Sequence, residues 1–126
     1  MNSETQLKTA LPELRTRYAK RLRTQSNELL DFIAVCERNS LNDDVRRDAQ
    51  ILAHNLRGTG TTFGYPEISQ AASSLEAALE ADATSSEGYV GLSLKLVRAC
   101  NDAAVEASGV DSSADTLPEV NSNTDA

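Results

Sequence analysis

Apolar side chains recur at steps of three and four residues in four stretches of the chain, a spacing typical of amphipathic helices. The stripes consist of Leu11, Leu14, Tyr18, Leu22, Leu29, Ile33 and Cys36; of Val45, Ala49, Leu52, Leu56 and Phe63; of Ile68, Ala71, Ala72, Leu75, Ala78 and Leu79; and of Tyr89, Leu92, Leu96, Val97, Cys100, Ala103 and Ala107. The pattern predicts helices near residues 12 to 38, 43 to 63, 66 to 82 and 86 to 107.

Start and stop signals support these boundaries. Pro12 suits the first turn of a helix, and Asn42 can cap the second one. Gly64 offers a left-handed stop, while Thr84 with Glu87 three residues later forms a capping-box signature. Four amphipathic helices joined by short loops predict an all-α fold, an antiparallel up-and-down four-helix bundle.

Both ends of the chain lack this pattern. We expect residues 1 to 10 to be frayed or weakly helical and residues 11 to 107 to form the bundle. The last 19 residues, from Ser108, hold four acids, no basic side chain and few apolar ones. Such a segment cannot bury enough apolar surface to offset the entropy of ordering, so we expect a disordered acidic tail. A peptide that binds a partner is the alternative.

Composition agrees with an all-helical fold, since 17 alanines and 15 leucines outnumber seven valines and three isoleucines. The net charge of −7 argues against nucleic acid as a partner, because such binding depends on neutralising phosphates. A basic cluster does occur in the first helix, at Arg15, Arg17, Lys20, Arg21 and Arg23. These positions spread around a helix, so we interpret them as a solvated surface.

The sequence has no apolar run long enough to span a membrane and no signal-like segment near Met1, so we expect a cytoplasmic protein with no membrane contact. We also expect a monomer. Cys36 and Cys100 lie on apolar stripes, which predicts two buried thiols. One histidine and two distant cysteines lack the short spacings of a zinc site, so we expect no metal.

The single histidine, His54, has an unusual position on the second helix. At about 100° per residue it lies about 180° from Val45, on the face opposite the apolar stripe. A buried, hydrogen-bonded histidine is therefore disfavoured. The residues that share its face are Arg47, Gln50, Arg57, Gly58 and Thr61.

Gly58 and Arg57 favour a chemical role for this face. A glycine inside a helix costs about 1 kcal/mol relative to alanine, so its place one turn after His54 requires a compensating benefit. A bare backbone there leaves room for a partner, or for a group attached to the imidazole. Arg57 adds a permanent charge that suits a phosphoryl group or an acidic pocket.

The stretch from Ala53 to Gly64 resembles the signature of histidine-containing phosphotransfer (HPt) domains. His54, Arg57, Gly58 and Gly64 fit the pattern H-x-x-[KR]-G-x-x-x-x-x-G, with Phe63 preceding the last glycine. In that family a four-helix bundle exposes one histidine midway along a helix. The resemblance spans about Leu11 to Ala107, with arginine at position 57 where lysine is commoner.

The resemblance implies a phosphorelay intermediate in which His54 takes a phosphoryl group from a receiver-domain aspartyl phosphate and passes it to another receiver. The implied partners are response-regulator receiver domains and a sensor or hybrid histidine kinase. An imidazole in water is mostly neutral at pH 7, so one ring nitrogen can attack phosphorus. The sequence has neither a Walker-type phosphate loop nor an evident carboxylate cluster beside His54, so magnesium and the acidic pocket would come from the receiver.

Two other hypotheses remain. A bundle that docks on a receiver or kinase without being phosphorylated would be expected to lack His54. An enzyme with a Cys-His or Ser-His nucleophile would need those side chains to converge. Cys36 is expected to face the core and His54 to face solvent, so this pairing is disfavoured. We therefore expect a phosphoryl carrier that is not an enzyme and that has no cofactor of its own.

Overall fold

A computed structural model describes residues 12–81 and 85–108, and within these ranges the chain forms four α-helices and no strand. Helix α1 spans Pro12–Glu37 and α2 spans Asp43–Phe63. Helix α3 spans Pro66–Ala81 and α4 spans Ser86–Ala107. The predicted all-helical fold is confirmed, and each boundary agrees with the prediction to within one residue.

Local chemistry explains most of the helix ends. The Asn42 side chain accepts a hydrogen bond from the Val45 amide, as predicted for an N-cap. Gly64 has φ of 84°, and the amide of Tyr65 donates to the Gly60 carbonyl, which closes α2 with a left-handed turn. Asn39 closes α1 in the same way, with φ of 56°, a position that the sequence analysis did not single out.

One predicted cap is wrong. The N-cap of α4 is Ser85, whose side chain accepts from the Gly88 amide, and not Thr84. Ser85 is the hydroxyl residue directly before the helix, and it caps the helix in place of Thr84. The predicted capping box of Thr84 and Glu87 is therefore shifted by one residue. Thr84 itself lies outside the described residues.

The core forms where the four apolar stripes meet. Helix α1 packs most extensively on α4, and α2 packs on α3, while the sequential neighbours α1 and α2 have little contact. Tyr18 near the start of α1 contacts the rings of Phe63 and Tyr65, at centroid distances of 4.4 and 5.8 Å. Phe32 near the end of α1 contacts Tyr89 at the start of α4, at 6.2 Å. Packing between these four helices fits a bundle.

The predicted core is largely confirmed, with one correction on α1. Leu14 is 39% exposed, because the buried face of α1 begins at Tyr18 and Ala19. Phe32 is buried although it was not on the predicted stripe. Both thiols are buried and free, and burial raises the pKa of Cys100 to about 12.

Several predictions concern residues that the structure does not describe. Leu11 and the expected frayed N-terminus lie outside the described residues, as does the expected acidic tail apart from Ser108, which caps α4. No described helix combines the length and the apolar character that crossing a membrane requires. Of the basic cluster on α1, Arg17, Lys20, Arg21 and Arg23 are exposed and Arg15 is half-buried.

The two glycines of α2 predict opposite effects of an added methyl group. A Cβ at Gly60 would lie 2.6 Å from Ser69 Oγ and 3.0 Å from the Ser69 backbone nitrogen, whereas a Cβ at Gly58 has nothing within 4 Å. Gly60→Ala should therefore lower the free energy of unfolding by about 1–3 kcal/mol. Gly58→Ala should raise it by about 0.5–1 kcal/mol through helix propensity alone. Urea denaturation of both variants measures the difference, and equal effects would contradict the close approach at Gly60.

Candidate functional site

Helix α2 presents His54 to solvent, as the sequence predicted. The His54 side chain is 61% exposed, on the face that lies away from the buried residues Ala49, Ala53, Leu56 and Gly60. Its position halfway along a 21-residue helix keeps its backbone rigid. The imidazole is therefore fixed at its base and open at its outer edge.

A carboxylate from the neighbouring helix holds one ring nitrogen. Glu76 lies on α3, and its Oε2 is 2.9 Å from His54 Nδ1. The Glu76 side chain is only 11% exposed, although a carboxylate is among the most strongly hydrated side-chain groups. Charged groups in such positions need partners, and His54 is one of them.

Arg57 is the second partner of Glu76. Its Nη1 lies 3.1 Å from Glu76 Oε1, which is buried, and the approach is an ion pair without the alignment of a hydrogen bond. Its Nη2 lies 3.4 Å from His54 Nδ1. Arg57 thus lies on the Nδ1 side of the imidazole, beside the Glu76 carboxylate. The sequence analysis had instead expected its charge to suit a phosphoryl group or an acidic pocket.

These contacts assign the ring proton. A carboxylate accepts hydrogen bonds and has none to donate, so the 2.9 Å contact requires a proton on Nδ1. Arginine is also only a donor, so its 3.4 Å approach to the same nitrogen is proximity and not a competing hydrogen bond. In the neutral ring Nε2 then carries the lone pair. The site therefore presents a nucleophilic nitrogen toward solvent.

Gly58 leaves the surface beside the ring bare. The residue is exposed, and no atom lies within 4 Å of where its Cβ would be. The space that the sequence analysis inferred at this position is therefore present. A partner can approach the helix backbone one turn after His54.

Thr61 has a local structural role that the sequence did not indicate. Ser69 Oγ at the start of α3 donates to the Arg57 carbonyl at 2.9 Å, and Thr61 Oγ1 lies 3.2 Å from that carbonyl and 2.9 Å from Ser69 Oγ. These hydroxyls join α2 to α3 two turns from the imidazole. Thr61 remains exposed, so it can also form part of the surface.

The other predicted surface residues lie farther from the imidazole. Arg47 is exposed and Gln50 is half-buried, and among the described residues neither has a recorded contact with His54. Seven residues before His54, Arg47 lies about 10 Å along the helix axis. Phe63 and Gly64 lie at the end of α2, where Phe63 packs on Tyr18 and Gly64 reverses the chain. They shape the helix end and do not touch the ring.

Sequence reasoning missed Glu76, the residue closest to the imidazole. The apolar stripe of α2 was centred on Val45, Leu52 and Phe63, which are only partly buried. The true centre is displaced toward the His54 face, which brings α3 alongside that face. A signal was present, because Glu76 occupies a core-facing position between Leu75 and Leu79. A carboxylate on an apolar stripe requires a partner on the adjacent helix.

No group of three potential ligands that could hold a metal ion occurs among His, Cys, Asp and Glu side chains of residues 12–81 and 85–108. Glu76 is the one carboxylate recorded in contact with His54 in those ranges. The site within the described chain therefore consists of an imidazole, a buried carboxylate and a guanidinium. This set can bind or attack an electrophile through Nε2.

No family model, no curated protein and no solved structure matches this chain. The likeness to HPt domains therefore rests on the resemblance of the sequence alone. The geometry of the site is independent of that likeness. It defines what the imidazole can do chemically, whichever family the chain belongs to.

The geometry predicts which tautomer of His54 is populated. In the neutral protein the ring proton should reside on Nδ1, because Glu76 accepts it. Nitrogen-15 NMR of the labelled imidazole distinguishes the two nitrogens directly. Glu76→Ala removes the acceptor and should lower the population of the Nδ1-protonated form, whereas Glu80→Ala, on the exposed side of α3, should leave it unchanged. An unchanged tautomer in Glu76→Ala would contradict the assignment.

Proposed function

We propose that this chain is a phosphorelay intermediate, in which His54 accepts a phosphoryl group from a receiver-domain aspartyl phosphate and transfers it to the aspartate of another receiver. The observation that carries the proposal is an imidazole that is 61% exposed and is held at Nδ1 by a buried carboxylate. Its place within the pattern formed with Arg57 and Gly58 adds the resemblance to HPt domains.

The transfer step is a nucleophilic substitution at phosphorus. The lone pair of His54 Nε2 forms the new P–N bond as the P–O bond to the aspartyl carboxylate breaks, and that carboxylate leaves with the electron pair. Because Nδ1 keeps its proton, the phosphorylated ring is cationic. Glu76, 2.9 Å from Nδ1, stabilises this charge as it develops. The same contacts serve the reverse step, so transfer can proceed in either direction.

Arg57 supports the reaction through Glu76. The guanidinium holds the carboxylate against Nδ1 at 3.1 Å and offsets its negative charge, which would otherwise repel an incoming phosphoryl group. The Arg57 side chain is 45% exposed, so some of its N–H donors face solvent. We propose that these donors also stabilise the phosphoryl group once it is attached.

The partner supplies the remaining parts. Magnesium and the acidic pocket belong to the receiver domain in this scheme, and the chain itself neither hydrolyses ATP nor holds a cofactor. A sensor or hybrid histidine kinase is the expected source of the phosphoryl group upstream. The cytoplasmic location expected from the sequence is part of the proposal.

The proposal also assumes that the four helices form an antiparallel up-and-down bundle. Contacts between opposite helix ends support it: Tyr18 near the start of α1 meets Phe63 at the end of α2, and Phe32 near the end of α1 meets Tyr89 at the start of α4. Arg57 and Ser69 likewise pair the end of α2 with the start of α3. In this topology the middle of α2 faces solvent on one side of the bundle.

Phosphoryl transfer to His54 can be measured directly. Mixing the protein with a phosphorylated receiver domain and magnesium should place label on this chain as an acid-labile, base-stable phosphoramidate. His54→Gln should abolish the label and change the free energy of unfolding by about 0.5 kcal/mol or less, since the glutamine amide can still donate to Glu76. Asn55→Gln, the matched exposed neighbour, should accept label normally.

Label on the His54→Gln chain, or unfolding of that variant, would overturn the proposal. Binding to receivers with no label on wild-type protein would instead assign the chain to the alternative class, an interaction module that is not phosphorylated. A panel of receiver domains guards against a mismatched partner.

The open surface at Gly58 gives a second test. Gly58→Leu should leave the bundle folded, because its side chain enters empty space, but it should slow transfer at least tenfold by obstructing the approach of the partner. Gly58→Ala also replaces the glycine but adds only a methyl group, so it is the control for side-chain size and should transfer at close to the wild-type rate. Equal transfer rates for the leucine variant and wild type would remove Gly58 from the docking surface.

A further inference from the structure

The interface between α1 and α2 is the most loosely packed interface between neighbouring helices of the bundle. These neighbouring helices share less contact than any other adjacent pair. A groove of about 410 Å³ lies between them. Its apolar lining is Phe32, Val35, Val45, Ala49 and Leu52, and its carboxylates are Glu28, Asp31 and Asp48.

A stripe of α1 with a regular heptad spacing borders this groove at its C-terminal end, where Glu28, Asp31 and Val35 line the groove. Steps of three and four residues connect Leu14, Arg17, Arg21, Thr24, Glu28, Asp31 and Val35. The first six are exposed and Val35 is half-buried. Such a repeat places side chains along a single line of the helix surface, the arrangement by which a helix contacts a partner helix in a coiled coil.

The two halves of the stripe carry charges of opposite sign. Arg17 and Arg21 precede Thr24, whereas Glu28 and Asp31 follow it. Among the described residues, none of these four charged side chains takes part in an ion pair. The stripe is thus complementary to itself when it is read in the opposite direction.

We propose that a second copy of this chain docks here, with the two α1 helices antiparallel about a twofold axis at Thr24. This arrangement pairs Arg17 with Asp31 of the other copy and Arg21 with Glu28, each twice. Leu14, which is 39% exposed, then meets Val35 at the mouth of the groove. The interface is isologous, so the assembly closes at two chains.

Charge selects this occupant over the chain's own C-terminal segment. Residues 109–126 hold four acids and no basic side chain, and three carboxylates surround the groove. Parallel pairing of two α1 helices would place arginine against arginine and acid against acid. Antiparallel pairing alone matches all four charged positions. The proposal replaces the expectation of a monomer.

The dimer leaves the imidazole accessible. On α2 the groove-lining positions Val45, Asp48 and Leu52 lie about 120–180° around the helix from His54. His54 instead faces α3, through Glu76. The proposal does not depend on phosphoryl transfer, and His54→Gln should dimerise like the wild type.

Sedimentation equilibrium of the full chain, across a wide concentration range, tests the proposal. The wild type should show a reversible monomer–dimer equilibrium. Arg17→Glu places two repulsive pairs in the interface and should raise the dissociation constant about tenfold or more. Asp31→Arg should do the same. Arg23→Glu makes an identical charge change on the other side of α1 and should leave the dissociation constant unchanged.

Mixing the two charge variants provides the decisive measurement. An equimolar mixture of Arg17→Glu and Asp31→Arg should form a heterodimer more tightly than either variant pairs with itself, because the mixture restores opposite charges at both of these contacts. A wild-type chain that stays monomeric up to millimolar concentration would overturn the proposal. So would a mixture that associates no better than its components, or an Arg23→Glu chain as weakened as Arg17→Glu.

Discussion

The close approach of α2 and α3 at Gly60 fixes the geometry on which the site depends. A Cβ at this position would collide with Ser69, so only glycine lets the start of α3 approach this closely. From that point the two helices diverge little, and the hydroxyl contacts of Ser69 with the Arg57 carbonyl lock their register. About two turns of antiparallel pairing farther along, the same register places Glu76 against His54. A packing constraint two turns away thus sets the distance between two functional groups.

Burial of Glu76 explains why the site contains three groups instead of one. A carboxylate that is 11% exposed loses most of its hydration, and partners of opposite charge or with a proton to donate offset the loss. His54 contacts Oε2 at hydrogen-bond distance, and Arg57 forms an ion pair with Oε1. The imidazole therefore has a structural use within the folded chain, and the contact with Glu76 holds its orientation.

Most of the fold could be predicted from periodicity, because the buried residues of each helix recur at its turn length. Asn42 and Gly64 also took the predicted roles, since their chemistry acts on neighbouring residues. The exposure of His54 followed from the angle of about 180° between it and Val45 around the helix. Glu76 could not be placed in the same way, because its contact spans 22 residues and depends on how α2 is rotated relative to α3. An error of about 50° in the centre of one stripe was enough to hide it.

The hydrogen bond from His54 to Glu76 makes the two ring nitrogens chemically inequivalent. An imidazole free in water offers both of them to an electrophile and yields a mixture of isomers. In this chain Nδ1 is committed to the carboxylate, so substitution is regioselective for Nε2. Acylating reagents, soft metal ions and phosphoryl donors all meet the same atom. The fold therefore determines which isomer of a modified histidine forms, whichever reagent supplies the group.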